Sequence, residues 1–384
     1  MLKSSWQNVP YWRLSGFYFL FFLTIGGFMP YWSLYLKSIN ITAEGIGILS
    51  AIIVFTKVFA SLIWGWVVDH TGKRMQVIRY TSLLSMLSFS LVLFFQDFWP
   101  LFIILFVFSI FWSAALPQIE ATTLSHLGEA SDNYTVVRIW GSISFIICVL
   151  VLGKYFDYYP IKHLLPILVV TMLLVWIHTL FIPEFNKEHE EHNDHSFIKI
   201  LMKPSVVSLL IVCFLVQASH GPYYTFFSIY LEEHHYSNSF IGTAWAVGVL
   251  AEVIVYVFIH IVIRRFGLKN LMILTMILTT LRWLMIAWFV ENIFLLLLAQ
   301  CLHAATFGIY HAVAIQYIHK EFRGIHQGRG QALYSSVSFG AGFALGSLLS
   351  GYLWDYVGSS QTFLFAAGLS AVGIIIACYG LQKN

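Results

Sequence analysis

The chain has 384 residues, 59% of them hydrophobic and only 10% charged, against about 25% charged in soluble domains. That balance excludes a soluble enzyme and points to a membrane protein, because a dozen spans of about 20 residues would use most of the length. The formal net charge of +3, with no basic stripe, excludes a nucleic-acid partner.

In chain order, twelve apolar segments fall near 12–36, 45–68, 77–96, 99–124, 136–156, 163–183, 204–231, 240–263, 270–290, 292–318, 331–354 and 360–381. The first lacks a basic leader and is too long for a signal peptide, so it reads as a span. Helix is the form expected of each, since an open strand edge leaves backbone groups unsatisfied in lipid. The predicted fold class is therefore an all-α polytopic membrane protein. It has twelve transmembrane helices in two six-helix bundles, residues 1–183 and 204–384, joined by a polar linker over 184–203. With the N-terminus inside, fourteen Lys and Arg fall in inside segments, among them Lys73, Arg74, Lys199, Lys203, Arg264 and Arg265. Only Lys37, Lys154 and Lys162 fall outside. That bias predicts cytosolic termini and a cytosolic linker. Gly153-x-x-x-Asp157 recurs as Gly351-x-x-x-Asp355, 198 residues later. A repeat of about half the chain suits a two-bundle transporter.

Charges inside the spans are the functional signal, because an ionisable group in hydrocarbon costs about 2.5–3.5 kcal/mol on insertion scales. Glu120 lies deep in the fourth segment, and Arg138 enters the fifth within Tyr134-Thr-Val-Val-Arg138-Ile-Trp140-Gly141-Ser142. The two are expected to offset each other, either as a structural ion pair or along a substrate path. Lys57 lies twelve residues before Asp69, roughly 18 Å along a helix, too deep to snorkel. Its expected role is either substrate contact or partner of Glu120. Glu252 and Arg282 sit in the eighth and ninth segments. Helical spacing gives three stripes: Trp245, Gly248, Glu252, Tyr256 and His260; Gln217, His220, Tyr224 and Phe227; and His303, Thr306, Phe307, Tyr310, Ala314 and Tyr317. Aromatic stripes serve helix packing as well as binding, and Tyr224 and Trp245 would stack on a ring-bearing solute.

Other features carry less. Cys148, Cys213, Cys301 and Cys378 lie in apolar runs without metal-ligand spacing. His189, His192 and His195 stand among acidic linker residues, a composition that can bind metal but suits a solvated linker equally. Gly340-Ala-Gly342-Phe-Ala-Leu-Gly346 follows no strand and reads as a small-residue helix contact. No nucleophile–base pair or phosphate loop is visible, so neither enzyme chemistry, nor a cofactor, nor a resident metal is expected.

The loop Gly65-Trp-Val-Val-Asp69-His-Thr-Gly72-Lys73-Arg74 resembles the signature loop of the major facilitator superfamily. Gly65 would permit close helix packing, Asp69 would cap or pair, Gly72 would allow a tight turn, and the basic pair would hold the loop inside. Gly27-Phe-Met-Pro30-Tyr31-Trp32, Arg138-Ile-Trp140-Gly141-Ser142, Trp245 to Glu252, Arg282-Trp283, and His303-Ala-Ala-Thr306-Phe-Gly with His311 resemble the phenylpropionate-permease branch. That branch is similar to lactose permease and to nucleoside–proton symporters. The resemblance implies proton-driven uptake across a bacterial cytoplasmic membrane; a monomer is expected. It implies substrate contact at Glu120 and Arg138, to which the residues above add Lys57, Tyr31, Trp140, His220, Tyr224 and Trp245. It matches an eighth-helix Glu, a ninth-helix Arg and a tenth-helix His at Glu252, Arg282 and His303; Glu252 is the expected proton-coupling group with Arg282 and His303 as its modulators, and His303 or His311 is the alternative carrier. Lactose permease has Glu three residues after the His, whereas this chain has Thr306; that carboxylate is not carried over. A phenylpropionate-like acid is the expected substrate. A sugar or nucleoside, or a transporter-like sensor, is the alternative.

Overall fold

The computed structural model describes residues 9–184, 197–322 and 326–381. The linker histidines His189, His192 and His195 lie outside them. The described residues are all helical or irregular, with no strand. Twelve helices are long and apolar enough to cross a membrane: α1 Tyr11–Ser38, α2 Ala43–Thr71, α3 Arg74–Leu93, α4 Phe98–Leu127, α5 Ala130–Phe156, α6 Ile161–Thr179, α7 Pro204–Glu233, α8 Asn238–Phe266, α9 Leu268–Phe289, α10 Ile293–Glu321, α11 Gln327–Val357 and α12 Ser359–Gly380. Local chemistry sets their ends. Ser237 Oγ accepts from Phe240 N–H at 3.2 Å to open α8, and Asn292 Oδ1 accepts from Leu295 N–H at 3.1 Å to open α10. Gly72, at φ +65°, closes α2 in the left-handed region, where a side chain would be strained.

The chain divides into two compact units, Met1–Asn40 with Thr56–Glu190, and Ile41–Phe55 with Glu191–Asn384. In the first, α1 packs on α5 and α6, and α3 on α4 and α6. Glu184 accepts from Met75 N–H at 3.0 and 3.2 Å, placing a carboxylate at the positive end of α3. Arg79 donates to Thr179 O and Ile182 O at 3.2 and 2.9 Å. Glu184, the first residue of the expected linker, is thus a working part of this unit.

In the second unit, α7 is central and packs on both α11 and α12. Gly221 and Gly346 meet so closely that a Cβ on either would strike the other helix's backbone. The expected small-residue contact of α11 is therefore real, and α7 is its partner. The unit boundary departs from the sequence expectation, which gave all of α2 to the first bundle. The helix is interrupted at Thr56, and its first half packs on α11 in the second unit, with Gly47 against Gly351. Asp355 also accepts from Glu44 N–H at 3.0 Å. Hydropathy registers neither the interruption nor this partner. One motif expectation is corrected as well: a Cβ at Gly65 would meet nothing within 4 Å, so this glycine serves no close packing here.

Candidate functional site

The first unit holds a cluster on α1, α4 and α5. Tyr134 O–H donates to Glu120 Oε1 at 3.2 Å. Tyr18 O–H donates to Thr123 Oγ1 at 3.2 Å, with its ring set edge-on to Tyr134. The Arg138 guanidinium lies 3.9 Å from the Phe22 ring centroid and 5.6 Å from that of Tyr18. Among the described residues, Glu120 and Arg138 form no ion pair within 4.0 Å. The expected direct pair is replaced by a tyrosine on the carboxylate and aromatic faces on the cation, a cation–π arrangement. Lys57 stands just past the interruption of α2, where Thr56 donates to Ser109 Oγ at 2.7 Å. Lys57 is exposed, and the described residues give its ammonium no hydrogen-bond or ion-pair partner.

Two more residues expected at the substrate stand outside this cluster. Tyr31 is fully buried, donates to Val149 O at 2.7 Å and packs edge-on against Phe156. Trp140 donates to Tyr11 Oη at 2.9 Å and sits by Trp12. Both are engaged in joining α1 to α5 rather than to the Glu120 cluster.

The second unit holds the denser cluster. Arg282 on α9 is 0% exposed. Its Nε donates to Ala299 O at 3.0 Å, Nη1 to His303 Nδ1 at 3.0 Å and to Thr306 Oγ1 at 3.1 Å, and Nη2 to Gln300 Oε1 at 3.3 Å. The same Gln300 oxygen accepts from Tyr223 O–H at 2.9 Å. The Tyr223 and Trp283 ring centroids lie 4.2 and 4.7 Å from Arg282 Cζ. His303 Nε2 stands 3.7 Å from Glu252 Oε2. Thr306, where lactose permease has a carboxylate, thus serves as a neutral acceptor for the arginine. His303 immediately precedes a π-helical turn, Ala304–Ile309, a form that recurs at functional sites.

Rings enclose this cluster. Tyr224 packs against His220, Tyr223, Trp245, His303, Phe307 and Phe343, with centroids 5.2 to 6.3 Å apart. Trp245 donates to Ser228 Oγ at 3.1 Å, and His220 Nδ1 is 2.8 Å from Val216 O. His220, Tyr224, Trp245, Glu252, Arg282 and His303 are thus brought together. His311 lies further along α10, 2.9 Å from Tyr334 Oη, with Phe307 stacked between it and His303. Sequence reasoning missed Tyr18, Phe22, Tyr223 and Gln300. Only Gln300, three residues before His303 and so on its face, carried a usable signal. Among the described residues no three His, Cys, Asp or Glu are placed to hold a metal ion.

Twelve apolar helices in two compact units carry the major facilitator fold, and the chain's family and relatives make it a membrane transporter of small molecules. The chain belongs to the MFS_1-like family, whose model matches residues 11–365. Over 365 residues it is 30% identical to the probable 3-phenylpropionic acid transporter of Escherichia coli (strain K12), covering 91% of this chain and 92% of that one. Over 368 residues it is 24% identical to the maltose permease of Geobacillus stearothermophilus, covering 94% and 92%. In fold it is similar to the crystal structure of nucleoside transporter NupG, with a TM-score of 0.85 at 17% identity over 97% of this chain and 99% of that one. The POT family transporter PepTSo gives a TM-score of 0.76 at 12% identity, covering 97% of each.

The two arginines should respond differently to lysine. Arg282→Lys keeps the charge but loses the planar fork and strands several buried acceptors, for an expected loss of about 2–4 kcal/mol. Arg138→Lys gives up mainly contact with two ring faces, about 0.5–2 kcal/mol. Thermal unfolding of the purified variants in detergent checks this ranking; equal midpoints would contradict it.

Proposed function

We propose that the chain is a proton-coupled transporter taking up an aromatic monocarboxylate, of the phenylpropionate class, across a bacterial cytoplasmic membrane. The observation that carries the substrate class is Lys57, a cation within a span and without a hydrogen-bonding or ionic partner among the described residues. Of the charges read as deep within the first unit's spans, Lys57 and Arg138 are two cations against the single anion Glu120. A carboxylate solute would complete that balance, and a neutral solute would leave the surplus cation without a counter-charge. The name of the 30% identical Escherichia coli relative agrees with an aryl acid. A neutral sugar is the second reading, favoured by the maltose permease among the relatives.

Glu252 is the coupling carboxylate of this proposal. A coupling group must bind and release a proton once per cycle, and Glu252 is the anion beside His303 and Arg282. Both termini are placed in the cytosol on the strength of the fourteen-to-three bias in basic residues. Reporter fusions after Lys162 and after Lys203 are then expected to lie on opposite sides of the membrane, and matching signals would refute that topology.

Two uptake experiments in proteoliposomes test the rest. Labelled 3-phenylpropionate should be displaced by aryl acids and not by their amides, and Lys57→Gln should weaken the acid by about tenfold, roughly 1.4 kcal/mol. Equal inhibition by acid and amide would remove the carboxylate reading. Glu252→Gln should abolish accumulation against a gradient while leaving equilibrium exchange, since Gln imitates the protonated carrier. Continued accumulation that a protonophore still collapses would move the coupling site elsewhere.

A further inference from the structure

The hydrogen bond between Arg282 and His303 fixes more than the histidine's position. Arg282 is a donor only, so the nitrogen it faces at 3.0 Å, His303 Nδ1, must present a lone pair. The neutral ring then carries its proton on Nε2, which faces Glu252 Oε2 at 3.7 Å. Turning the ring over would set carbon atoms against both Arg282 and Glu252, so this orientation is the one that serves both neighbours. A second proton on His303 would have to sit on Nδ1, against an arginine N–H and a full positive charge.

Arg282 has little room to withdraw. Ala299 O, Thr306 Oγ1 and Gln300 Oε1 hold it, with the Tyr223 and Trp283 rings against it. The other ionisable groups around His303 add no competing acceptor for a new Nδ1 proton. On α7, Tyr223 and Tyr224 meet it through their rings, and His220 contacts Trp283. On α8, Gly248 faces its Cβ, one turn before Glu252, and Tyr256 lies with Glu252 against Gly308. On α10 itself, Phe307 separates it from His311.

We infer that His303 is held by Arg282 as the neutral Nε2–H tautomer and is a positioning residue for Glu252, not a carrier of the transported proton. It presents a polarised N–H to the Glu252 carboxylate and keeps Arg282 from pairing with that carboxylate directly. The proton itself binds to and leaves a Glu252 oxygen. This assignment rests on the proposed coupling role of Glu252.

The assignment separates two substitutions that would otherwise look alike. Gln at position 303 offers an amide oxygen and an amide N–H but cannot titrate; Phe offers neither. His303→Gln should still accumulate labelled 3-phenylpropionate against its gradient, about tenfold more slowly for one weakened hydrogen bond to a charged group. Its pH profile should be displaced from that of the native protein. His303→Phe should lose accumulation. If His303→Gln exchanges substrate but no longer concentrates it, the histidine is the carrier and the inference fails. Infrared titration of the unmodified protein gives a test independent of the variants' folding. A protonated-carboxyl band that Glu252→Gln removes should titrate, with no imidazolium signal that His303→Gln removes. An imidazolium signal assigned to His303 in that way would overturn the inference. Native uptake indifferent to protonophores would remove the coupling reading alone, while the infrared result would still decide the tautomer.

Discussion

The second unit depends on how one guanidinium is held away from water. A bare ion moved into a low-dielectric interior would face a penalty of several kcal/mol even after relaxation. Arg282 offsets it with neutral groups: a backbone carbonyl, an amide, a hydroxyl, an imidazole nitrogen and two ring faces. None of these is an anion. The positive charge therefore remains uncompensated at short range, and it acts on Glu252 through the histidine between them. This is why α7, α9 and α10 converge where they do: Tyr223, Arg282 and Gln300 each come from a different one of the three.

The first unit handles its cations differently. Arg138 rests on Phe22 and Tyr18, and Lys57 stands at a helix interruption. Ring faces hold a cation without engaging the directional donors of its guanidinium. A cation held this way keeps hydrogen-bonding capacity for a solute, whereas most of the donors of Arg282 are already used. The two units thus hold their arginines by different means.

Hydropathy made the twelve spans legible, because lipid imposes a long apolar run on every crossing and leaves polar turns between them. The in-span charges were legible for the same reason: in such a composition each one stands out. The pairing of Glu252, Arg282 and His303 came from resemblance, and Thr306 marked the departure correctly. Other features left no trace in composition or period. The interruption at Thr56 is a local hydrogen-bonding event, and the placement of Ile41–Phe55 with the second unit is a tertiary choice. Tyr223 was hidden beside Tyr224, because neighbouring aromatics on one helix give no clue which of them faces a cation. Tyr31 and Trp140, singled out within short motifs, proved to be joints between α1 and α5.

The wide turn at Ala304–Ile309 has a mechanical meaning of its own. A π-turn is an α-helix with one residue of slack wound into it. Passing that residue along the helix would rotate the residues it passes by about 100° and shift them by about 1.5 Å, while the parts on either side keep their register. In α10 the slack lies between His303 and His311, and α11 carries a second store at Ser336–Gly342, just beyond Tyr334. The slack lies between the Arg282–His303 cluster and the His311–Tyr334 contact, and it would let the residues between them turn while both ends of α10 keep their packing.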